Sequence, residues 1–151
     1  MNNVNEHLPK GGCLETRIYL TIYSTDVMST DDVSKIMVIE PTKKGRKGEY
    51  SEPNSLGKRH QHAHDHWFLI SDSFVKSNVL GDHIDGFFEQ LEPARKGLEQ
   101  LKLISGLVIK LSCVYWIDDW ADFVLTPAQM KRFFDLGLNL EFEIKDYGEE
   151  V

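Results

Sequence analysis

Two hydrophobic periodicities alternate along this chain, and their order is the feature that most constrains its fold. Arg17–Ser24 alternates apolar with other side chains at a period of two, as a strand with one buried face does. The same period returns at 107–116 and 138–145, and a short apolar run covers Trp67–Ser71. Segments with helical spacing separate these strands, so the sequence predicts an α+β protein.

Three helices are predicted between the strands. The first begins with Ser29 or Thr30 as its N-cap, has carboxylates in its first turn, and ends at Pro41. The second begins near Gly81 and bends at Pro93, because proline fits the first turn of a helix but disrupts its interior.

The third helix carries the strongest local signal. A threonine, a proline and a glutamine occupy the N-cap, N1 and N3 positions of a capping box: Thr126, Pro127 and Gln129. Its apolar side chains predict a buried stripe of Met130, Phe133 and Phe134. Before it, Phe123–Leu125 is predicted as a brief strand.

This order predicts a mostly antiparallel sheet with three helices, in the form of a ferredoxin-like βαββαβ core with an added βαβ segment. We expect residues 15–147 to form the single domain, residues 1–14 a flexible polar arm, and residues 148–151 a frayed tail. The length of 151 residues and an apolar fraction of 41% suffice for one packed core.

Charge and targeting signals limit the class of function. The net charge of −7 argues against nucleic acid as a partner and favours a basic protein. No stretch resembles a signal peptide or approaches the roughly 18 apolar residues of a membrane span, so we expect a cytoplasmic protein with no membrane partner. Of the two cysteines, Cys113 lies in an apolar strand and is predicted to be a buried hydrophobe.

A basic, histidine-bearing stretch runs from Lys43 to His66. It holds six Lys or Arg residues against three acidic ones. Its histidines recur at every second position, at His60, His62, His64 and His66. An extended chain would place them on one face at intervals of about 6.8 Å, where two imidazoles could share a zinc ion. His64 and His66 are the best pair, although a solvent-facing loop or an acid–base or pH-sensing role also fits.

An acidic, aromatic turn follows the strand at 107–116. Its candidate partner-binding residues are Trp116, Asp118, Asp119, Trp120 and Asp122. Such a surface suits a basic partner, with aromatic side chains supplying binding energy and carboxylates raising the association rate. An ordinary hairpin with core aromatics is the alternative, and acid–base catalysis is a third. We find no complete catalytic motif, and no residue is predicted to be catalytic.

A set of short matches spread along residues 16–147 resembles one bacterial family. The matching residues are Ile39–Thr42, Lys47, Gly48, Trp67, Leu69, Ser71, Leu91–Pro93, Leu111–Cys113, Leu125, Pro127, Leu138, Leu140, Asp146 and Tyr147. In this order they resemble domain of unknown function number 4279. That family has no established reaction, and some of its members look like immunity proteins encoded beside bacterial toxins. The His60–His66 run is not part of the family pattern.

We therefore expect a non-enzymatic cytoplasmic binding protein, an immunity protein that neutralises a polymorphic or contact-dependent bacterial toxin by binding a basic toxin domain. The alternative is a metal-binding protein or metal-dependent enzyme that uses the His60–His66 cluster with zinc. Converging imidazoles with a third ligand in a pocket would favour the alternative.

Overall fold

A computed structural model describes residues 12–118 and 120–146 of the chain. In this part of the chain one sheet has five strands, which are β1 (Gly12–Tyr23), β2 (Lys43–Gly45), β3 (His66–Ile70), β4 (Val108–Asp118) and β5 (Leu140–Asp146). Their spatial order is β2-β3-β1-β4-β5. The predicted first strand is therefore longer than expected and begins at Gly12, inside the predicted arm. Residues 1–11, Asp119 and residues 147–151 lie outside the described part.

The sheet is mostly antiparallel, as predicted. β1 lies between β3 and β4 and is antiparallel to both, and β2 is antiparallel to β3. β4 and β5 are parallel, because α4 carries the chain back between them. The element order through β4 is the predicted β-α-β-β-α-β, and α4 with β5 forms the addition.

The described helices are α1 (Thr30–Met37), α2 (Leu80–Leu91), α3 (Arg95–Lys102) and α4 (Pro127–Leu136). The predicted bend at Pro93 is confirmed, since a 3₁₀ turn over Glu92–Ala94 separates α2 from α3. No described helix has the length and apolar character that crossing a membrane would require.

All four helices bury their apolar stripes on one face of the sheet. β1 contributes Ile18, Leu20 and Ile22 to this core, and each is fully buried. Between β3 and α1, the indole nitrogen Nε1 of Trp67 donates a hydrogen bond of 3.0 Å to Ser34 Oγ. The core also holds Val33, Met37, Leu80, Ile84, Phe87, Leu91, Leu98, Leu101, Leu111, Cys113 and Phe133.

The opposite face of the sheet carries no described helix. Alternation along β1 and β4 places mixed aromatic, hydroxyl and charged side chains there, including Tyr19, Thr21, Tyr23, Lys110 and Trp116. The central strands β1 and β4 therefore have one core face and one open face, as the alternation predicts.

Three local predictions were wrong. α1 stops at Val38, which adopts a left-handed φ of 60°, instead of continuing toward Pro41. The segment Phe123–Leu125 is irregular and forms no strand. In α4, Phe133 is buried as expected, but Met130 is 50% exposed and Phe134 is 83% exposed.

Candidate functional site

The acidic loop, which we define as residues 118–126, joins the end of β4 to α4. Asp118, Trp120 and Asp122 are exposed on it, and the indole of Trp120 keeps 50% of its surface accessible. The backbone N–H of Trp120 donates to the Asp118 carbonyl oxygen at 2.9 Å, which turns the chain tightly at this point. Asp119 lies outside the described residues, so its predicted role stays a prediction.

Contacts to the core hold the acidic loop from its inner side. The Tyr115 hydroxyl donates a hydrogen bond of 3.0 Å to the backbone carbonyl of Asp122. The ring of Phe123 stacks on Phe142 of β5 at 5.2 Å and meets Tyr115 edge-on at 5.5 Å. Because these contacts restrain the chain just after Trp120, the exposed indole is presented on a supported loop.

Trp116 lies apart from the other predicted partner-binding residues. Its side chain belongs to the open face of the sheet and is only 9% exposed. The Arg17 guanidinium and the Lys145 ammonium group lie over its ring at 5.1 Å and 5.5 Å. The structure thus brings Asp118, Trp120 and Asp122 together on the acidic loop, whereas Trp116 serves as a platform for two cations.

Arg17 is held in place by several polar contacts on this open face. It contacts Glu15 and Tyr19, and its Nε lies 2.9 Å from Asp72. Burial disfavours the charged form, but the hydrogen bonds to Tyr19 and Glu15 outweigh it and raise the pKa of the guanidinium. The cation above Trp116 is therefore permanent.

An apolar surface continues from the acidic loop across α4 and β5. Half of the exposed large hydrophobic side chains of the described chain lie between residues 120 and 144. We call this group the C-terminal apolar surface, and its members are Trp120, Phe123, Val124, Met130, Phe134, Phe142 and Ile144. Concentration of exposed apolar side chains in one region is typical of an interaction site.

The direction of α4 explains why two of these side chains are exposed. Arg132 forms an ion pair of 3.0 Å with Asp85, so α2 lies on the Arg132 side of α4. Met130 and Phe134, four residues apart, share the opposite side of the helix. That side of α4 is therefore turned away from α2, and both side chains are exposed to solvent.

Three of the four histidines, His62, His64 and His66, line one pocket with Tyr23 and Phe68. His60 is not among the lining residues, and the chain before His66, where β3 begins, is irregular. His66 is buried and meets the His62 ring at 4.3 Å and the Phe68 ring at 4.7 Å. The His64 ring instead lies 5.4 Å from Tyr23. The closest imidazole pair is therefore His62 with His66, and not the predicted His64 with His66.

Gly45 of β2 makes room for this pair of rings. A Cβ atom built on Gly45 would lie 2.6 Å from His66 Cε1 and 2.7 Å from its Nε2. His66 Nδ1 faces the His64 carbonyl oxygen at 3.4 Å. Among the described residues, no group of three or more His, Cys, Asp or Glu side chains is arranged to hold a metal ion. Two imidazoles without a third ligand do not fit a tetrahedral zinc centre, and zinc binding by His64 and His66 stays an untested prediction.

A comparison with protein families assigns the chain to one of them. The family profile described as a domain of unknown function, DUF4279, matches residues 14–147. The chain belongs to the DUF4279 family. The predicted resemblance is thereby confirmed, and the match spans the acidic loop, the histidine run and the whole described sheet except the first residues of β1. Neither a curated protein nor a solved structure matches the chain.

This DUF4279 protein has a buried polar pair, Ser71 and His83, that was not predicted from the sequence. Ser71 and His83 are 0% and 1% exposed, and Ser71 Oγ lies 2.6 Å from His83 Nδ1. His83 Nε2 lies 2.8 Å from the Ser77 carbonyl, which only accepts, so Nε2 carries the proton and Nδ1 accepts from the Ser71 hydroxyl. Ser71 is the first residue after β3. Its Oγ also accepts a hydrogen bond of 2.8 Å from the backbone N–H of Ile18 in β1.

This pair is a structural link between β1, the end of β3 and α2. Serine beside histidine is also the pairing of a nucleophile and its base, but full burial leaves no approach for a substrate here. The burial of His83 could have been predicted from the helical spacing. His83 follows Leu80 by three residues and so lies on the buried stripe of α2. Cys113 is equally enclosed, and burial raises the pKa of its thiol to about 12, which leaves it unreactive.

Proposed function

We propose that this DUF4279 protein is a non-enzymatic cytoplasmic immunity protein that neutralises a bacterial toxin domain by direct contact through its acidic loop. The observation that carries the proposal is the 50% exposure of Trp120, which lies two residues from each of the exposed Asp118 and Asp122 on a loop supported by the core. Exposed tryptophan side chains supply much of the energy of protein interfaces.

Charge supports a basic partner. The chain has a net charge of −7, and the acidic loop adds its carboxylates beside an aromatic anchor. A negative surface attracts a basic protein over a Debye length of about 8 Å at physiological salt and raises the association rate. An acidic inhibitor of a basic toxin would also occupy the surface to which the toxin binds its anionic substrate.

The supported loop lowers the cost of binding. Ordering a flexible interface side chain on association costs about 0.5–1.5 kcal/mol. Here the Tyr115 hydrogen bond and the Phe123 ring contacts restrain the loop before a partner arrives. More of the contact energy is then available for affinity.

The proposal is tested with the toxin domain encoded immediately upstream of this gene, a genomic position that the proposal itself predicts. Cells that produce the toxin should survive when they also produce the wild-type chain. Binding is measured by surface plasmon resonance with a catalytically inactive toxin variant. Cell death in the presence of correctly folded wild-type chain, or an isolated housekeeping context for the gene, would contradict an immunity function.

Two variants separate the aromatic from the charged contribution. Trp120→Ala should raise Kd by about 30-fold, mainly through faster dissociation. The double variant Asp118→Lys/Asp122→Lys should instead slow association and weaken its dependence on salt. Leu103→Ala and Glu52→Lys are matched controls, since both residues are exposed elsewhere on the chain. If the loop variants bind and protect as well as these controls do, the acidic loop is not the interface.

A further inference from the structure

The two edges of the sheet differ in how they are protected from pairing with another chain. β2, at one edge, is only three residues long and carries two lysines. β5, at the other edge, is seven residues long, contains no proline, and pairs with β4 without a register shift. Short, lysine-bearing edges resist strand addition, whereas long regular edges invite it. No described segment pairs with the outer edge of β5.

The side chains of β5 leave both of its faces accessible. On the helix side, Phe142 is 41% exposed and Ile144 is 61% exposed. On the open face, Glu141, Glu143 and Lys145 alternate with these apolar residues. β5 thus offers an outer edge that pairs with no described strand, an apolar face and both signs of charge.

We propose that two copies of this chain associate by antiparallel pairing of β5 with β5, about a twofold axis at Glu143. Directly opposite residues of an antiparallel pair lie on the same face of the sheet. In this register Phe142 of each copy faces Ile144 of the other, and Glu141 of each copy faces Lys145 of the other. The strand is therefore complementary to itself in both apolarity and charge, which a twofold interface requires.

Neighbouring registers fit less well. An axis at Phe142 would set Glu141 against Glu143. An axis at Ile144 would still oppose Glu143 and Lys145, but it would set the large Phe142 ring against Asp146 and leave one apolar pair, Ile144 with Ile144, instead of two. The register at Glu143 has two unfavourable contacts. Leu140 faces Asp146 at the ends of the strand, and the two copies of Glu143 face each other on the axis, where each Glu143 has Lys145 of its own chain 3.9 Å away. The two five-stranded sheets would join into one continuous sheet, and the outward backbone groups of β5 would gain hydrogen-bond partners.

This association does not rest on the immunity function, because it uses the edge of β5 and leaves Trp120 at the end of β4. Sedimentation equilibrium of the full chain over a range of concentrations should give a species of twice the chain mass of 17.4 kDa. A single monomeric species up to the highest soluble concentration would overturn the proposal.

Charge reversal tests the register. Glu141→Lys and Lys145→Glu should each raise the dimer Kd at least tenfold, since like charges then face each other across the axis. The double variant Glu141→Lys/Lys145→Glu restores opposite charges and should return the Kd to within a few-fold of wild type. Lys47→Glu changes the net charge as Lys145→Glu does, but at an exposed position outside β5, and should leave the dimer intact. A double variant no stronger than the single variants would refute this register.

A crosslink provides a second test that does not depend on affinity. Glu143→Cys, made in a Cys13→Ser background, places two thiols opposite each other on the axis, and mild oxidation should link the copies by a disulfide. The matched variant Glu141→Cys faces position 145 of the other copy and should crosslink much more slowly. Equal crosslinking of both variants would argue against the axis at Glu143. Circular dichroism melts establish that each variant is folded.

Discussion

His66 occupies the first position of β3, and its ring is enclosed by His62, Phe68 and Gly45. Burial, followed by the charges of His62 and Lys43, lowers the pKa of His66 below its ordinary value. The folded protein therefore favours the neutral ring. This residue couples the basic stretch to the stability of the sheet.

The lowered pKa predicts a loss of stability in mild acid. In the unfolded chain His66 takes up a proton near its ordinary pKa of about 6.5, whereas the folded protein takes it up only at lower pH. The stability contributed by neutral His66 is thus fully present above that pH and is lost as the pH falls below it. The loss ends once the folded ring is itself protonated. Urea midpoints measured from pH 8 to pH 5 should fall less for His66→Gln than for wild type.

The matched control is His60→Gln, because His60 is exposed. It should reproduce the pH dependence of wild type. The absolute stability of His66→Gln is not the readout, since removal of a buried ring destabilises the protein at every pH. Parallel pH profiles of wild type and His66→Gln would show that His66 is not the titrating group.

The histidine run also shows what residue spacing leaves open. Alternation at every second position places side chains on one face only if the chain is extended, and the strand begins at the last of the four histidines. Which imidazole ring lies beside His66 therefore depends on the antiparallel pairing of β2 with β3 and on the space at Gly45. Neither is visible in the spacing of the histidines.

At the scale of elements, local signals predicted the helix starts well. Thr126 Oγ1 accepts from the Gln129 backbone and the Gln129 side chain accepts from Thr126, as the capping box predicts. Ser29 likewise caps α1. These signals are reliable because the donor and the acceptor lie within four residues of each other.

The buried face of an element was harder to predict. Met130, Phe133 and Phe134 are all apolar, yet only Phe133 meets the core, where its ring lies 5.1 Å from Phe88 of α2. The exposure of the other two depends on which side of α4 packs against α2. Similarly, the clean alternation of β5 predicts a strand but does not tell that it lies at the edge, with Phe142 and Ile144 exposed. Both facts depend on tertiary neighbours.

The ends of α1 and α4 provide a matched comparison and a prediction. Both helices end on a residue with left-handed φ, which is 64° at Gly137 and 60° at Val38. A β-branched side chain is strained there, at a cost of about 1–2 kcal/mol. We therefore expect Val38→Gly to raise the free energy of unfolding by about 1 kcal/mol and Tm by about 2–4 °C. Val38 is 73% exposed, so little packing is lost.

Val124→Gly is the control for this substitution, because Val124 is 77% exposed and does not have a positive φ. It should leave stability unchanged or lower it slightly, since glycine adds entropy to the unfolded chain. Val38→Gly should therefore raise Tm, whereas Val124→Gly should leave Tm unchanged or lower it slightly. If Val38→Gly lowers the free energy of unfolding instead, the left-handed backbone conformation of Val38 is not a source of strain that glycine relieves.

At the scale of the whole molecule, one core joins every described helix to the central strands. Side chains from α1, α2, α3 and α4 pack into the same cluster as those of β1, β3 and β4. A single core of this kind favours cooperative unfolding in one step. Cys113 lies in this core, where it is 1% exposed, and in the sheet it is the partner of Ile18 in β1 and of Phe142 in β5. The reactivity of its thiol therefore measures how often the core opens.

We predict that Cys113 reacts with a thiol reagent only when the whole domain unfolds. In a Cys13→Ser background at pH 8, the raised pKa and the burial together should slow labelling about 10⁴-fold or more relative to the unfolded chain. The free energy obtained from labelling rates in increasing urea should then equal that from circular dichroism, with the same denaturant slope. A smaller free energy and a shallower slope would instead mean that α4 and β5 detach as a separate unit. α4 packs against α2 through Phe133, and among the described strands β5 pairs with β4 alone. α4 and β5 are therefore the elements that we expect to detach first if unfolding is not cooperative.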